Sequence, residues 1–179
     1  MQLDYLDLFL IHWPGVGEDA YKESWLALES LYRQGKIRAI GVSSFQAHYL
    51  KRLATYSQVT PAINQIEFHP YLTQKTLSEY AKQVGIQLQA WSPLMQGKVL
   101  SDEVLLNLAA KYQKSVAQII FKCDIQQEIA LLTKTEKKAR LISNAQLDDF
   151  ELSAEDMALI HSLNQNLRVG PNPDTFDFK

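Results

Sequence analysis

The sequence predicts an α/β fold built on a parallel sheet, and three observations carry that reading. Five short apolar or β-branched runs recur along the chain, each of the length expected for a strand buried on both faces. Longer segments with helical spacing lie between them. The repeat is about 25 to 30 residues, which suits βα units with crossover helices rather than hairpins.

The first strand spans Leu6 to His12. Tyr21, Trp25, Leu28 and Tyr32 then recur at i, i+4, i+7 and i+11, and Gly35 suits the left-handed residue that closes a helix. A second strand, Ile37 to Ser43, precedes a helix marked by Leu50, Leu53 and Ala54. A third, Ala62 to Glu67, precedes a helix carrying Leu77, Tyr80, Ala81 and Val84, with Thr73 as its N-cap and Gly85 just past its end. After Ile86 to Trp91 comes an excursion with helical stretches at Asp102 to Tyr112 and Val116 to Cys123, then a last strand, Ile129 to Leu132. Helices at Lys137 to Ala145 and Ala154 to Leu163 follow, the latter opened by Ser153 and Asp156 at capping-box spacing. No Gly/Ser/Pro-rich linker interrupts the chain, so residues 1–179 read as one domain. A tail over about 166–179 reads as extended, with Phe176 and Phe178 as its anchors.

Composition narrows the partners. The 179 residues are 46% hydrophobic and 21% charged, as in ordinary globular proteins. Eighteen Lys and Arg against twenty Asp and Glu give a net charge of −2. With no block of like charge, nothing implies a nucleic-acid tail. The single Cys123 permits no internal disulfide, and His12, His48, His69 and His161 are too scattered for a structural metal site. This cysteine usage suits the cytoplasm. The opening MQLDYLDLFLIHWPG lacks a basic start, and its apolar run is too short for a signal peptide or a membrane span.

Parallel α/β folds bind ligands at the carboxyl ends of their strands. Those ends carry His12 and Trp13, Ser43 and Ser44, Asn64 and Gln65 with Glu67, Trp91 and Ser92, and Thr133 and Lys134. Taken singly, each has a structural reading as a satisfied buried His, an N-cap Ser or a core Trp. Their coincidence at successive ends is what points to a site. The dinucleotide glycine fingerprint, the P-loop and the hydrolase elbow have no match here. One basic cluster, KTEKKAR, sets Lys134, Lys137, Lys138 and Arg140 before and into a helix start, where backbone N–H groups favour phosphate. A solvated helix face is an equal alternative for that cluster.

The blocks LDYLDLFLIHWPG, GKIRAIGVSSF, INQIEFHPYL, QAWSPLMQGKVL, LLTKTEKKARLISNAQ and NLRVGPNPDTFDF resemble successive blocks of the aldo-keto reductase family, in the family's order. The branch most similar is the bacterial one related to 2,5-diketo-D-gluconate and methylglyoxal reductases, which has Trp in the AWSPL block. The resemblance implies a partial TIM (β/α)8 barrel, strands four to eight with their helices, the N-terminal three βα units being absent. A complete barrel typically needs about 250 residues. It also implies an NADPH-dependent oxidoreductase that reduces aldehyde or ketone carbonyls to alcohols, with no nucleic-acid or membrane partner.

By the same resemblance, His12 orients the substrate carbonyl and stabilises its developing charge, and Trp13 contacts substrate. Trp91 stacks on the nicotinamide of NADP(H), while Ser43, Ser44 and Gln65 bond its carboxamide. Ser92 and Leu94 lie along the pyrophosphate, Lys134, Thr135 and Arg140 grip the 2′-phosphate, and Asn144 meets the adenine. Ser44 stands where the family normally has Asn, and a hydroxyl reaches less far than an amide. The family's I-P-K-S reads Leu132-Thr133-Lys134-Thr135, without the stiffening proline, and Cys123 replaces a Trp, implying a less tightly packed helix.

The family's D-x-x-x-x-Y block and Lys-bearing strand have no match, since no Asp is followed five positions later by Tyr. Reduction needs a proton donor, typically worth about 10²–10⁴-fold, and His12 is the candidate among matched positions. The alternative reading is therefore a catalytically inactive remnant that binds NADP(H) or is purely structural; a doubly wound binding protein that imitates the family is a weaker one. Five strands of an eight-strand barrel leave open edges. Such edges imply a rearranged half-barrel, self-association between copies, or association with a missing N-terminal piece.

Overall fold

A computed structural model of the chain describes residues 3–17 and 20–177. Its strands are β1 (Leu6–Ile11), β2 (Ile37–Ser43), β3 (Ile63–Glu67), β4 (Gln87–Trp91) and β5 (Ala130–Leu131). They belong to one five-stranded sheet in the order β1-β2-β3-β4-β5. Its helices are α1 (Lys22–Arg33), α2 (Ala47–Leu53), α3 (Lys75–Val84), α4 (Glu103–Tyr112), α5 (Val116–Gln126), α6 (Lys138–Ala145) and α7 (Ala154–Ser162). A 3₁₀ segment, Met95–Ser101, follows β4 and kinks at Gln96 and Gly97, both at positive φ. The predicted alternation is present, with bounds displaced by one to a few residues where ends fray. Strand β1 stops one residue short of His12, which leaves that imidazole beyond the sheet's hydrogen bonds.

The chain divides into two compact units. The first comprises Met1–Ile66, Lys75–Leu88 and Gly170–Lys179; the second comprises Glu67–Gln74 and Gln89–Val169. In the first, β1 pairs with β2 and β2 with β3, both parallel. The core of this unit is Tyr21, Trp25, Ile40, Val42, Phe45 and Leu53, each at most 2% exposed. Helix α1 ends as predicted: Gly35, at φ +70, lets Lys36 N donate to Leu31 O, the six-to-one bond that satisfies orphan carbonyls. Gly41 answers a different need. A Cβ there would lie 2.6 Å from Ile63 O, so the backbones of β2 and β3 approach across a residue without a side chain.

In the second unit β4 pairs with β5 in parallel, and the core gathers around α5, from Val116 through Ile119, Ile120 and Phe121, with Leu105, Leu108 and Ile160. Ser115 caps α5 in a complete capping box with Gln118, which the sequence reading did not single out. The box anticipated at Ser153 is half formed. Its hydroxyl accepts from Asp156 N, but the Asp156 carboxylate takes Lys111 Nζ and the Tyr112 hydroxyl instead, because those donors lie on α4 and offer stronger bonds. Thr73 does not cap α3: Gln74, at φ +43, intervenes, and Thr73 N donates to Asn164 Oδ1. Where Cys123 implied looser packing, eight of the eleven residues of α5 are buried, Cys123 among them, and Cys123 borders a small cavity.

Candidate active site

The register of the first unit builds one row of the site. Ile11 lies opposite Val42, Val42 opposite Asn64 and Ser43 opposite Gln65. One step beyond the Ile11, Val42 and Asn64 row, His12 follows the end of β1, and Ser43 and Gln65 form the last pair on the carboxyl edge. Ser43 Oγ donates to Gln65 O at 2.9 Å, and Ser44 N donates to the same oxygen at 2.8 Å. Ser44 sits at φ +63 and is 3% exposed, and its Oγ is buried without a hydrogen-bond partner. Leaving such a hydroxyl unmatched costs about 1–3 kcal/mol.

Asn64 explains how Ser44 keeps that strained geometry. Its Nδ2 donates to Phe45 O at 2.8 Å and its Oδ1 accepts from Phe45 N at 3.3 Å, a two-point clamp from a fully buried amide. Phe45 in turn packs edge-on against Tyr21, 4.8 Å between centroids. The sequence placed Asn64 at a strand end without giving it a role. Its signal was an amide set, with Gln65, between Ile63 and Ile66 in a short strand.

His12 is exposed, with its ring centroid 6.1 Å from that of Trp13. Trp13 packs on Phe176 at 4.6 Å, so the anticipated anchor of the tail meets the residue next to His12. Phe178, the second expected anchor, lies outside the described residues. The same tail places Asp174 3.4 Å from His48 Nε2. Burial first, and Asp174 second, push the Tyr49 hydroxyl up to about 12.

In the second unit, Trp91 closes β4 half-buried, and its carbonyl accepts from Phe68 N at 3.3 Å. Ser92 follows at φ +52, and Met95 N donates to Ser92 O while Gly97 N donates to Leu94 O, which folds the segment into consecutive tight turns. After β5, Lys134 and Glu136 form a 3.4 Å pair with both side chains almost fully exposed. Thr135 Oγ1 accepts from Lys137 N ahead of α6. Arg140 and Asn144 lie four residues apart on α6 and therefore share a face. Helix α6 buries no residue, which leaves its cationic start open to an anion.

Glu67, also named at a strand end, is structural. Its fully buried carboxylate accepts from Val169 N at 2.6 Å and pairs with His69 Nε2 at 3.1 Å and with Arg168 at 3.7 Å. Among the described residues no group of three or more His, Cys, Asp and Glu is placed to hold a metal ion.

Residues 1–165 match the family model described as the aldo/keto reductase family. The chain belongs to that family. It is 57% identical over 178 residues to the glyoxal reductase of Bacillus subtilis (strain 168), covering 99% of this chain and 64% of that protein. It is 40% identical over 178 residues to the methylglyoxal reductase DkgA of Escherichia coli (strain K12), covering 98% of this chain and 65% of that protein. This aldo/keto reductase chain thus spans less than two thirds of the length of these relatives. Among solved structures, MGS-M4, an aldo-keto reductase enzyme from a Medee basin deep-sea metagenome library, superposes with a TM-score of 0.94 at 37% identity, over 99% of this chain and 66% of that one. The Bombyx mori aldo-keto reductase AKR2E4 in complex with NADP superposes at 0.86 with 36% identity, over 94% and 61%.

Among the described residues no helix is long and apolar enough to cross a membrane.

Proposed function

We propose that this chain is the NADP(H)-binding part of a cytoplasmic reductase of small aldehydes and ketones, its strands standing for the fourth to eighth of a (β/α)8 barrel and both units belonging to one reductase domain. The observation that carries this is the 57% identity to a glyoxal reductase across 99% of the chain, with polar groups standing at the carboxyl ends of the strands. NADPH, when bound, supplies the hydride.

The residues present fit such a cofactor. The unpartnered, buried Ser44 Oγ is a hydrogen-bonding group in want of a partner, as a carboxamide would provide. Ser43 and Gln65, bonded to each other, hold the flanking positions. Trp91 offers a half-buried ring for stacking, and Ser92 and Leu94 lie in the tight turns beyond it for the pyrophosphate. Lys134, Thr135 and Arg140 at the start of α6 suit the 2′-phosphate, which is the group that separates NADPH from NADH. Asn144, on the face of Arg140, suits the adenine edge. His12 and Trp13 receive the carbonyl substrate, the imidazole stabilising the charge that develops on its oxygen.

Titration of the purified chain with NADPH and NADH, followed by tryptophan fluorescence, tests the binding half. Lys134→Ala and Arg140→Ala should each weaken NADPH binding about tenfold, the worth of one charge-assisted bond, and leave NADH unchanged. Equal losses for both cofactors would remove the phosphate assignment. Glyoxal and methylglyoxal, with NADPH consumption as the readout, test the catalytic half.

Tight binding without turnover would establish the second reading, a non-catalytic binder. The sequence feature in its favour is that no Asp is followed five positions later by Tyr. The exposed edge of β1 further favours a partner there, a second copy of this chain being the occupant we propose. Leu8 and Phe9 are 39% and 42% exposed, and Phe9 lines a groove of about 490 Å3 with Tyr5, Leu28 and Leu31.

A further inference from the structure

A cavity in the second unit lies among Phe68, His69, Thr73, Cys123, Asp124 and His161. Two of its walls end in buried polar atoms without partners: Nδ1 of His69, a residue with no exposed surface, and Oδ2 of Asp124, which is 2% exposed. They come from different elements, the turn after β3 and the interior of α5. Neither atom has a hydrogen-bond partner, and native interiors rarely leave two such groups facing one void. The space open to a water-sized sphere is about 10 Å3, close to the least that holds one water and too little for anything larger. From this juxtaposition we infer that the cavity is a binding site for a single internal water that bridges Asp124 Oδ2 and His69 Nδ1.

The protons can be placed. The carboxylate of Glu67 is already matched by Arg168 and by the N–H of Val169. It accepts from His69 Nε2, which therefore carries the hydrogen, and in the neutral imidazole Nδ1 is then a lone pair. The water donates to that lone pair and accepts from Asp124, whose carboxyl is kept protonated by complete burial, its affinity for the proton raised well above the ordinary value. His161, on the same cavity wall, is held below its ordinary value by desolvation and adds no cation. The chain of hydrogen bonds then runs from Asp124 through water, His69 and Glu67 to Val169 N. Its effect is to secure the segment after α7, where Gln165 N and Leu167 N also donate to Tyr71 O. This inference stands apart from the cofactor reading, since none of its residues is assigned there.

The test is a crystal structure of the full chain with ¹⁵N NMR of its histidines. A water at about 2.6–3.2 Å from both atoms, with His69 neutral and protonated on Nε2, is the expected result. An empty cavity, a direct Asp124–His69 bond or an imidazolium at His69 would each overturn it. Asp124→Asn, which still donates to the water, should leave the unfolding equilibrium within about twofold of the parent. Asp124→Leu, which displaces the water and orphans His69, should shift it toward the unfolded state by about tenfold or more. Equal effects of the two substitutions would count against the bridge. Should Asp124→Leu fail to fold, the Asp124→Asn crystal structure decides, since the water must persist in it.

Discussion

Glu29 shows what a single buried carboxylate does in this chain. Its side chain is 4% exposed and receives Trp25 Nε1, Ser57 Oγ, Gln58 N and Val59 N, with Arg33 at 3.1 Å. Burial alone would raise its proton affinity; the hydrogen bonds from Ser57, Gln58, Trp25 and Val59 outweigh burial and hold it below the ordinary 4.5. A depressed folded-state value means that the stabilisation is present above 4.5 and is lost as pH falls through the folded value. Glu29→Ala should therefore cost about 3 kcal/mol at neutral pH, where the bonds are charge-assisted, and progressively less in acid. Urea unfolding of both proteins at pH 7 and pH 3 measures this, and a difference independent of pH would refute the assignment. Gly41 is the other residue with no substitute. Gly41→Ala brings a methyl within 2.6 Å of Ile63 O and 2.7 Å of Leu10 Cδ2, and the resulting strain between β2 and its neighbours should cost about 1–3 kcal/mol in the same assay.

At the scale of elements, α5 and α6 are opposites. Helix α5 is capped by the reciprocal Ser115–Gln118 box and buries eight residues, whereas α6 buries none and has no side-chain cap. Local opening costs least where little apolar surface is packed. Backbone amides of α6 should therefore exchange with deuterium orders of magnitude faster than those of α5, and comparable protection of both would show that α6 is held by contacts of another kind. Addition of NADPH should slow exchange in α6 if Arg140 and Asn144 bind it. The difference between the two helices also marks what was legible beforehand. Strand positions, helix order and the basic start of α6 follow from periodicity and residue type, which are local. The box at Ser115 is equally local: Ser115 and Gln118 stand at the right spacing, directly before the apolar run Ile119, Ile120 and Phe121. Long-range partners were out of reach: the spacing of Ser153 and Asp156 promised a reciprocal cap, yet Lys111 and Tyr112, over forty positions away, take the carboxylate. The Asn64 clamp on Phe45 and the packing of Phe176 on Trp13 likewise depend on which strands and tails become neighbours.

At the scale of the whole sheet, parallel strands are normally buried on both faces and an unpaired edge is a template for pairing, and among the described residues no strand pairs with the outer edge of β1. Strand β2 buries five of its seven residues, while none of the six in β1 is buried. Leu3 and Tyr5 line one groove with the exposed Phe9, and a net charge of −2 provides little repulsion to keep copies apart. An edge of this kind templates pairing, so the chain should form dimers whose fraction rises with concentration in light scattering. Phe9→Lys places a charge in the exposed apolar strip, the device by which natural edge strands avoid pairing, and should return the chain to monomer. Because Phe9 is distant in sequence from Lys134 and Arg140, the variant should keep its preference for NADPH over NADH, which separates loss of association from loss of fold. A wild-type chain that stays monomeric at every concentration would remove the edge as an interface. A Phe9→Lys chain that still dimerises would move the interface elsewhere on the surface.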